Sequence, residues 1–290
     1  METQKASMFE NKKICVFGGT GTIGSLIVEY LQTQNPAVIR VFANSENSIW
    51  EAQRKWSMYP NIRYLVGDIR NLERVRTALK DIDYVFNAAA MKHVPFCEYN
   101  PIEAVETNVL GLNNVITACI ERKVKKLLHV STDKAVSPST LMGATKMIGE
   151  RLIQIRWSQN PTIQMVAVRL GNVWNSRGSI IPIIDECKKQ QKPVPITDLS
   201  MTRFFMQPEE VIKFIIEAFE NGGKGEIYVP KLKLVNLLEI IRGRVGISYP
   251  YEVIGIRRGE KLSEELISQE ELRFASEYND KWIIKHEFKW

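Results

Sequence analysis

The sequence predicts an α/β fold: a doubly wound parallel sheet with a smaller C-terminal substrate-binding domain. Three observations predict it. Short β-branched runs alternate with helical patterns over residues 13–170, the rhythm of strands joined by crossover helices. A glycine-rich turn, "FGGTGTIG" (17–24), follows the first run and opens the first helical pattern. After Gly171 the alternation loosens and prolines gather.

In chain order, the expected strands are "KICVFG" (13–18), "VIRVFA" (38–43), "IRYLVGD" (62–68), "YVFNAAA" (84–90), "KLLHVST" (126–132) and "MVAVRL" (165–170). Helices are expected between them at 22–33, 46–57, 71–80, 101–122 and 139–157. Pro182, Pro193, Pro195 and Pro208 predict broken chain over 180–210. "PEEVIKFIIEAFE" (208–220) keeps its apolar residues on one helical face and its charges on the other. Short elements follow, "EIYVP", "LVNLLEII", "YEVIGI" and "LSEELIS". The expected division gives 1–171, with a return segment at about 205–230, to nucleotide binding. It gives 172–204 and 231–290 to substrate binding.

Composition narrows the function. The 44% hydrophobic content of the 290 residues is ordinary for a globular chain with a sizeable core. No apolar run approaches the length of a membrane helix, and "METQKASMFENKK" has no signal-peptide core. Cys15, Cys97, Cys119 and Cys187 have neither CxxC nor zinc-site spacing, and no metal is expected. They read as reduced thiols of a cytoplasmic protein. The net charge of +6 suits an anionic ligand. The basic run "ERKVKK" (121–126) lacks the interleaved aromatics that stack on bases, so nucleic acid is not the expected partner.

Within the turn, Gly18, Gly21 and Gly24 let the backbone approach a pyrophosphate, with Thr20, Thr22 and Ile23 completing the loop and helix start. This is a Rossmann-type dinucleotide site. At the end of the second strand, Ala43, Asn44 and Ser45 precede any acid, which Glu46 supplies first. An acid there would hold the 2′-hydroxyl of NAD. Its absence predicts NADP, with Arg54 and Lys55 either reaching the 2′-phosphate or serving as helix-surface charges. Asp68, followed by Ile69, is placed at the adenine or at a helix cap.

Two stretches, "NAAAMKHVPFCEYNPIEAVETNVLG" (87–111) and "STDKAVSPSTLMGATK" (131–146), resemble the inverting UDP-N-acetylglucosamine 4,6-dehydratases, a branch of the extended short-chain dehydrogenases. The resemblance continues through "RLGNVWNSRGSIIP" (169–182), "PITDLSMTRFF" (195–205), "EIYVPK" (226–231) and "IGIRRGEKLSEELI" (254–267). It covers nearly the whole chain, and its most specific part is the pair Asp133–Lys134. One position departs from the common pattern. Met142 stands four residues before Lys146, where the family usually has tyrosine, and a thioether carries no proton. The chain also stops soon after "DKWIIKHEFKW", where many relatives continue, and lacks the N-terminal membrane helices of the membrane-bound ones.

The resemblance implies conversion of UDP-N-acetylglucosamine to a 4-keto-6-deoxy sugar inverted at carbon 5, in a homo-oligomer. It implies Lys134 as the base at carbon 5 and Asp133 as the acid for water loss. Asp133 is also the first choice to replace the missing tyrosine, ahead of a relay through Thr132 and water. Lys146 would hold the nicotinamide ribose and Asn108 the backbone beside the cofactor. Ala88, Ala89 and Ala90 would border the cofactor, with Lys92 and His93 near it or the sugar. Asn172, Arg177 and Arg203 would meet pyrophosphate or uridine, Thr197 the uracil, and Arg258 and Glu260 the diphosphate and ribose. His129 is expected in the core. The competing readings are an oxidoreductase running part of this cycle on a 5,6-ene intermediate, and a non-catalytic NADP-binding sensor.

Overall fold

The computed structural model describes residues 7–286. Residues 1–6 of the polar N-terminal stretch and 287–290 of "DKWIIKHEFKW" lie outside the described residues. The alternating half of the sequence forms β1 (Lys13–Phe17), α1 (Thr22–Gln32), β2 (Val38–Ala43), α2 (Glu46–Lys55), β3 (Ile62–Val66), α3 (Leu72–Ala78) and β4 (Tyr84–Asn87). Then come α4 (Val94–Tyr99), α5 (Pro101–Val105), a π-helical turn (Glu106–Gly111), α6 (Leu112–Glu121) and β5 (Lys126–Thr132). A 3₁₀ turn (Asp133–Ala135), α7 (Leu141–Gln159) and β6 (Gln164–Leu170) complete it.

The remainder forms β7 (Asn172–Val173), α8 (Ile180–Gln190), β8 (Val194–Ile196), β9 (Thr202–Met206), α9 (Pro208–Asn221) and β10 (Lys224–Pro230). It ends with β11 (Leu234–Asn236), α10 (Leu237–Val245), β12 (Tyr251–Val253), α11 (Gln269–Leu272), β13 (Ala275–Glu277) and β14 (Lys281–Ile284).

A nine-stranded sheet has the order β13-β14-β10-β6-β5-β4-β1-β2-β3. Its central strands are parallel; β14 and β13 add antiparallel at one edge. Strands buried on both faces explain the continuous apolar runs of β1, β5 and β6. One core packs α1, α2 and α9 on the first face, around Ile27, Ile49, Phe86 and Phe219. A second packs α3, α6 and α7 on the other, around Val75, Ile116 and Ile153. This is the doubly wound fold. The order turns back between β1 and β4, the place where such sheets bind ligands beyond the strands' carboxyl ends.

A third core, around Ile181, Ile196, Met201 and Ile241, joins α8 and α10 beside two small sheets, β11-β9-β7 and β12-β8. The chain differs from sequence expectation here in two respects. Pro182 does not break the chain: it falls in the first turn of α8, where its missing N–H is not needed. Residues 275–284, expected wholly in the smaller domain, return to the large sheet.

A buried ion cluster fastens that return. Arg169 of β6 donates to both oxygens of Glu150 on α7, at 2.9 and 2.7 Å, and to Glu271 on α11. Ser131 donates to Glu150 at 2.7 Å. An isolated buried charge would be costly, so these partners must stay together. They tie the end of β5, the helix bearing Lys146, and the C-terminal segment into one unit. Among the described residues no helix is long and apolar enough to cross a membrane.

Candidate active site

Two adjoining cavities open at the carboxyl ends of the parallel strands. The first, about 660 Å³, is lined by Gly21–Gly24, Ala88, Ala90, Lys92, His93, Thr132, Lys134, Met142, Lys146, Asn172 and Arg177. The second, about 280 Å³, is lined by Thr197, Arg203, Arg257, Glu260 and Glu264. Lys134, Asn172, Gly178 and Ser179 border both.

The glycine turn is built for close approach. Gly18 has φ +71°, and a Cβ on it would lie 2.7 Å from the Ala89 nitrogen. A Cβ on Gly24 would lie 2.1 Å from the Gly18 carbonyl, so helix and turn fit together only through glycine. The α1 N-cap is Gly21, with no side-chain cap on the first-turn amides. These features fit the phosphates of a dinucleotide. Arg177 folds back on the turn, donating to the Thr20 carbonyl, while its N–H meets Thr22 Oγ1 at 3.3 Å. It therefore sits at the glycine turn and lines only the first cavity.

Ala43, Asn44, Ser45, Asp68 and Ile69 lie outside both linings, at the ends of β2 and β3. Ser45 caps α2. Arg54 and Lys55 stand in the last turn of α2, roughly 13 Å along the helix from that cap. Lys55 pairs with Glu29, and Arg54 lies over the Trp50 ring at 4.9 Å. Both are engaged at the surface of the helix, away from the end of β2. Asp68 is no cap either: Asn71 caps α3, and the Asp68 carboxylate takes Arg70.

Asn108 lies in the π-helical turn, which interrupts the single helix expected over 101–122. Its amide accepts from Met91 N–H at 2.8 Å and donates to the Met91 carbonyl at 2.9 Å and to Thr145 Oγ1 at 3.0 Å. It fixes the backbone that follows β4 against α7. His129 is wholly buried beside Asn87 in β4, away from both linings.

The reacting end is built from the turn after β5. Asp133 is 0% exposed and lines neither cavity. Its Oδ1 accepts from Thr132 Oγ1 at 2.8 Å and from Lys134 Nζ at 2.9 Å, while Oδ2 is buried without a hydrogen-bond partner. Asp133 thus reaches the cavity only through its two neighbours, contrary to the expectation that its carboxylate sits beside the sugar. Lys134 Nζ also donates to Asn172 Oδ1 at 3.2 Å, which places Asn172 at the junction of the two cavities, both of which it lines.

Met142, 4% exposed, packs with Cys97, Ala104, Met91, Val94 and Leu141 under the first cavity. One turn on, Lys146 Nζ donates to the Val130 carbonyl at 2.8 Å. Burial holds the Lys146 ammonium down to about 8, with Glu150 opposing.

In the second cavity Arg203 is anchored to the Thr202 and Leu262 carbonyls, and Thr197 Oγ1 meets Met201 Sδ. A turn closed by Glu260 N–H on the Arg257 carbonyl directs Arg257 and Glu260 to the cavity. Arg258, expected at the diphosphate, points out of this turn; it is exposed and lines neither cavity. Sequence reasoning did not single out Glu264, since "EE" (264–265) in a polar run gives no sign of which carboxylate is buried.

The family model for polysaccharide biosynthesis proteins matches residues 14–286. The chain belongs to this family. It is 37% identical over 286 residues to a UDP-N-acetylglucosamine 4,6-dehydratase (inverting) of Campylobacter jejuni, covering 97% of this chain and 85% of that one. It is 38% identical over 287 residues to a UDP-glucose 4-epimerase of Rickettsia canadensis, covering 96% and 84%. The solved structure of Pen from Bacillus thuringiensis superposes with a TM-score of 0.92 at 41% identity, covering 97% of this chain and 90% of that chain. This member of the family therefore has relatives named for two different reactions on UDP-sugars.

The Lys146 environment makes a pH prediction for cofactor-free protein. Between about 8 and the ordinary lysine value of 10.5, the unfolded chain holds this proton and the folded chain does not. Stability contributed by Lys146 therefore rises with pH across that window. Urea unfolding should show wild type gaining on Lys146→Met by on the order of 3 kcal/mol from the bottom of the window to the top. Parallel curves would contradict the buried-ammonium account.

Proposed function

We propose that the protein converts UDP-N-acetylglucosamine to UDP-2-acetamido-2,6-dideoxy-L-arabino-hex-4-ulose, using NADP. The observation that carries this reading over 4-epimerisation is the Thr132–Asp133–Lys134 turn at the junction of the two cavities. Epimerisation at carbon 4 requires no base beyond the one serving the carbon 4 hydroxyl. Dehydration requires a second base at carbon 5, and an amine on the cavity wall supports that.

The nucleotide would occupy the second cavity, with the Arg203 and Arg257 guanidinium groups toward the diphosphate. The hexose would cross the junction, with carbon 4 toward Thr132 and carbons 5 and 6 toward Lys134. A nicotinamide bound in the first cavity would take up the hydrogen of carbon 4 and return it to carbon 6. The Lys146 ammonium, fixed on the Val130 carbonyl, would orient the adjoining ribose and add positive potential.

Thr132 and Asp133 would replace the absent tyrosine. The Thr132 hydroxyl takes the proton of the carbon 4 hydroxyl as it passes its own to Asp133 Oδ1, 2.8 Å away. Met142 then has a packing role, closing the apolar floor. Lys134 is the base that takes the proton from carbon 5, which the ketone at carbon 4 has made acidic, while the hydroxyl of carbon 6 leaves as water; carbon 5 regains a proton on its other face when the hydride returns to carbon 6.

NADP is favoured by the small residues Ala43, Asn44 and Ser45 and the lack of an acid beside them. Calorimetry on protein stripped of cofactor should show tighter binding of NADP⁺ than of NAD⁺. A clear preference for NAD⁺ would overturn this choice.

The reaction is tested by following UDP-N-acetylglucosamine by NMR in heavy water. The 4-keto-6-deoxy product should carry deuterium at carbon 5, and Lys134→Ala should abolish its formation while UDP still binds. Accumulation of a 5,6-ene would favour the partial cycle, and a 4-epimer would favour epimerisation. Wild-type turnover by Lys134→Ala would remove Lys134 from the mechanism.

A further inference from the structure

In the proposed reaction the cofactor gives up no electrons to an outside partner: the hydride it takes returns to the same sugar. It must therefore stay bound through the whole cycle. The structure brings a second segment onto the glycine turn that can hold it there.

That segment is residues 176–179, between β7 and α8. It forms a tight turn: Asn175 and Gly178 have φ +56° and +73°, and Ser179 N–H donates to the Ser176 carbonyl at 3.0 Å. Three contacts seat it. The Arg177 guanidinium donates to the Thr20 carbonyl, and Arg177 N–H meets Thr22 Oγ1 at 3.3 Å. Lys92, on the loop after β4, donates to the Arg177 carbonyl at 2.8 Å. A Cβ on Gly178 would lie 2.3 Å from His93 Cε1, so the segment lies directly against that loop. Residue 177 thus joins the loops that follow β1, β4 and β7, and all three line the first cavity.

Charge indicates what the segment faces. Arg177 and Lys92 are neighbouring exposed cations, and among the described residues neither is paired with a carboxylate. Like charges held side by side repel, and an anion beside them removes the repulsion. Thr20 and Thr22 belong to the turn that fits the phosphates of a dinucleotide. A guanidinium carries five N–H donors, so one bond to the Thr20 carbonyl leaves others for phosphate oxygens. Arg177 does not line the second cavity, where the UDP would lie.

We propose that residues 176–179 are a strap that retains the cofactor, with Arg177 as its clasp on the cofactor pyrophosphate. Release then requires the strap to lift off Thr20, Thr22 and Lys92. The need for slow release rests on the proposed redox-neutral reaction; the clasp rests on the contacts of Arg177 alone.

The test needs no sugar. Protein loaded with NADPH is mixed rapidly with a large excess of NADP⁺, and the decay of bound-NADPH fluorescence gives the release rate. Arg177→Met should release NADPH about ten- to a hundredfold faster than wild type, the range for losing a hydrogen bond to a charged group. Arg177→Lys, which keeps the charge without the fork, should fall between the two. Added salt should speed release from wild type and affect Arg177→Met less, because the screened contact is gone. Calorimetry on cofactor-free protein should give all three the same affinity for UDP, which also shows that the variants are folded.

Wild-type release from Arg177→Met would overturn the strap. Faster release with an unaltered salt dependence would also overturn it, by showing general loosening in place of a lost ionic contact. Weaker UDP binding without faster NADPH release would return Arg177 to the nucleotide. The expected NADPH results from a protein that makes no 4-keto product would uphold the clasp and reject only the dehydratase reading.

Discussion

A wholly buried carboxylate, Asp133, at the end of a central parallel strand, organises the site. An anion removed from water is tolerated only with close partners. Here they are the Thr132 hydroxyl and the Lys134 ammonium, both on Oδ1. Satisfying Asp133 therefore fixes two side chains that do reach the cavities. Thr132 is aimed into the first cavity, and Lys134 is held where the first and second meet. The rest of the fold protects this arrangement. Gly143 packs so closely that a Cβ on it would lie 2.2 Å from the Lys134 carbonyl, and the Arg169–Glu150–Glu271 cluster fastens α7 behind the turn.

The same constraint explains how a methionine can occupy position 142. Its neighbours Cys97, Ala104, Val94 and Leu141 are apolar, and a thioether fills irregular apolar space well. Under the proposed mechanism the Thr132 hydroxyl, coupled to the buried Asp133 carboxyl, serves the carbon 4 hydroxyl, and that mechanism calls for no proton carrier on α7. In the proposed mechanism the proton of the carbon 4 hydroxyl goes to the turn after β5 and not to α7.

Much of this was legible from short-range pattern. Alternation located β1–β6, and the spacing of Gly18, Gly21 and Gly24 located the phosphate turn, because both depend on local backbone geometry. The pair Asp133–Lys134 stood out through resemblance. What pattern could not supply was direction and distance. It could not tell that Asp133 turns inward, or that Arg257 rather than Arg258 faces the second cavity. Arg54 and Lys55 looked close to the ribose in sequence but lie at the far end of α2. Pro182 read as a breaker because its place in the first helical turn was not evident. Glu264 became visible only when packing brought residues 257–264 across the turn after β5.

The central claim is that the first oxidation depends on the Thr132–Asp133 couple and not on position 142. Rapid mixing of cofactor-loaded protein with UDP-N-acetylglucosamine, followed through the absorbance of reduced nicotinamide, isolates that oxidation from the later elimination. Met142→Leu, a volume-conserving change, should reduce the cofactor at close to the wild-type rate. Asp133→Asn should slow that phase at least about a hundredfold. Equal slowing in the two variants, or rapid reduction in Asp133→Asn, would contradict the account.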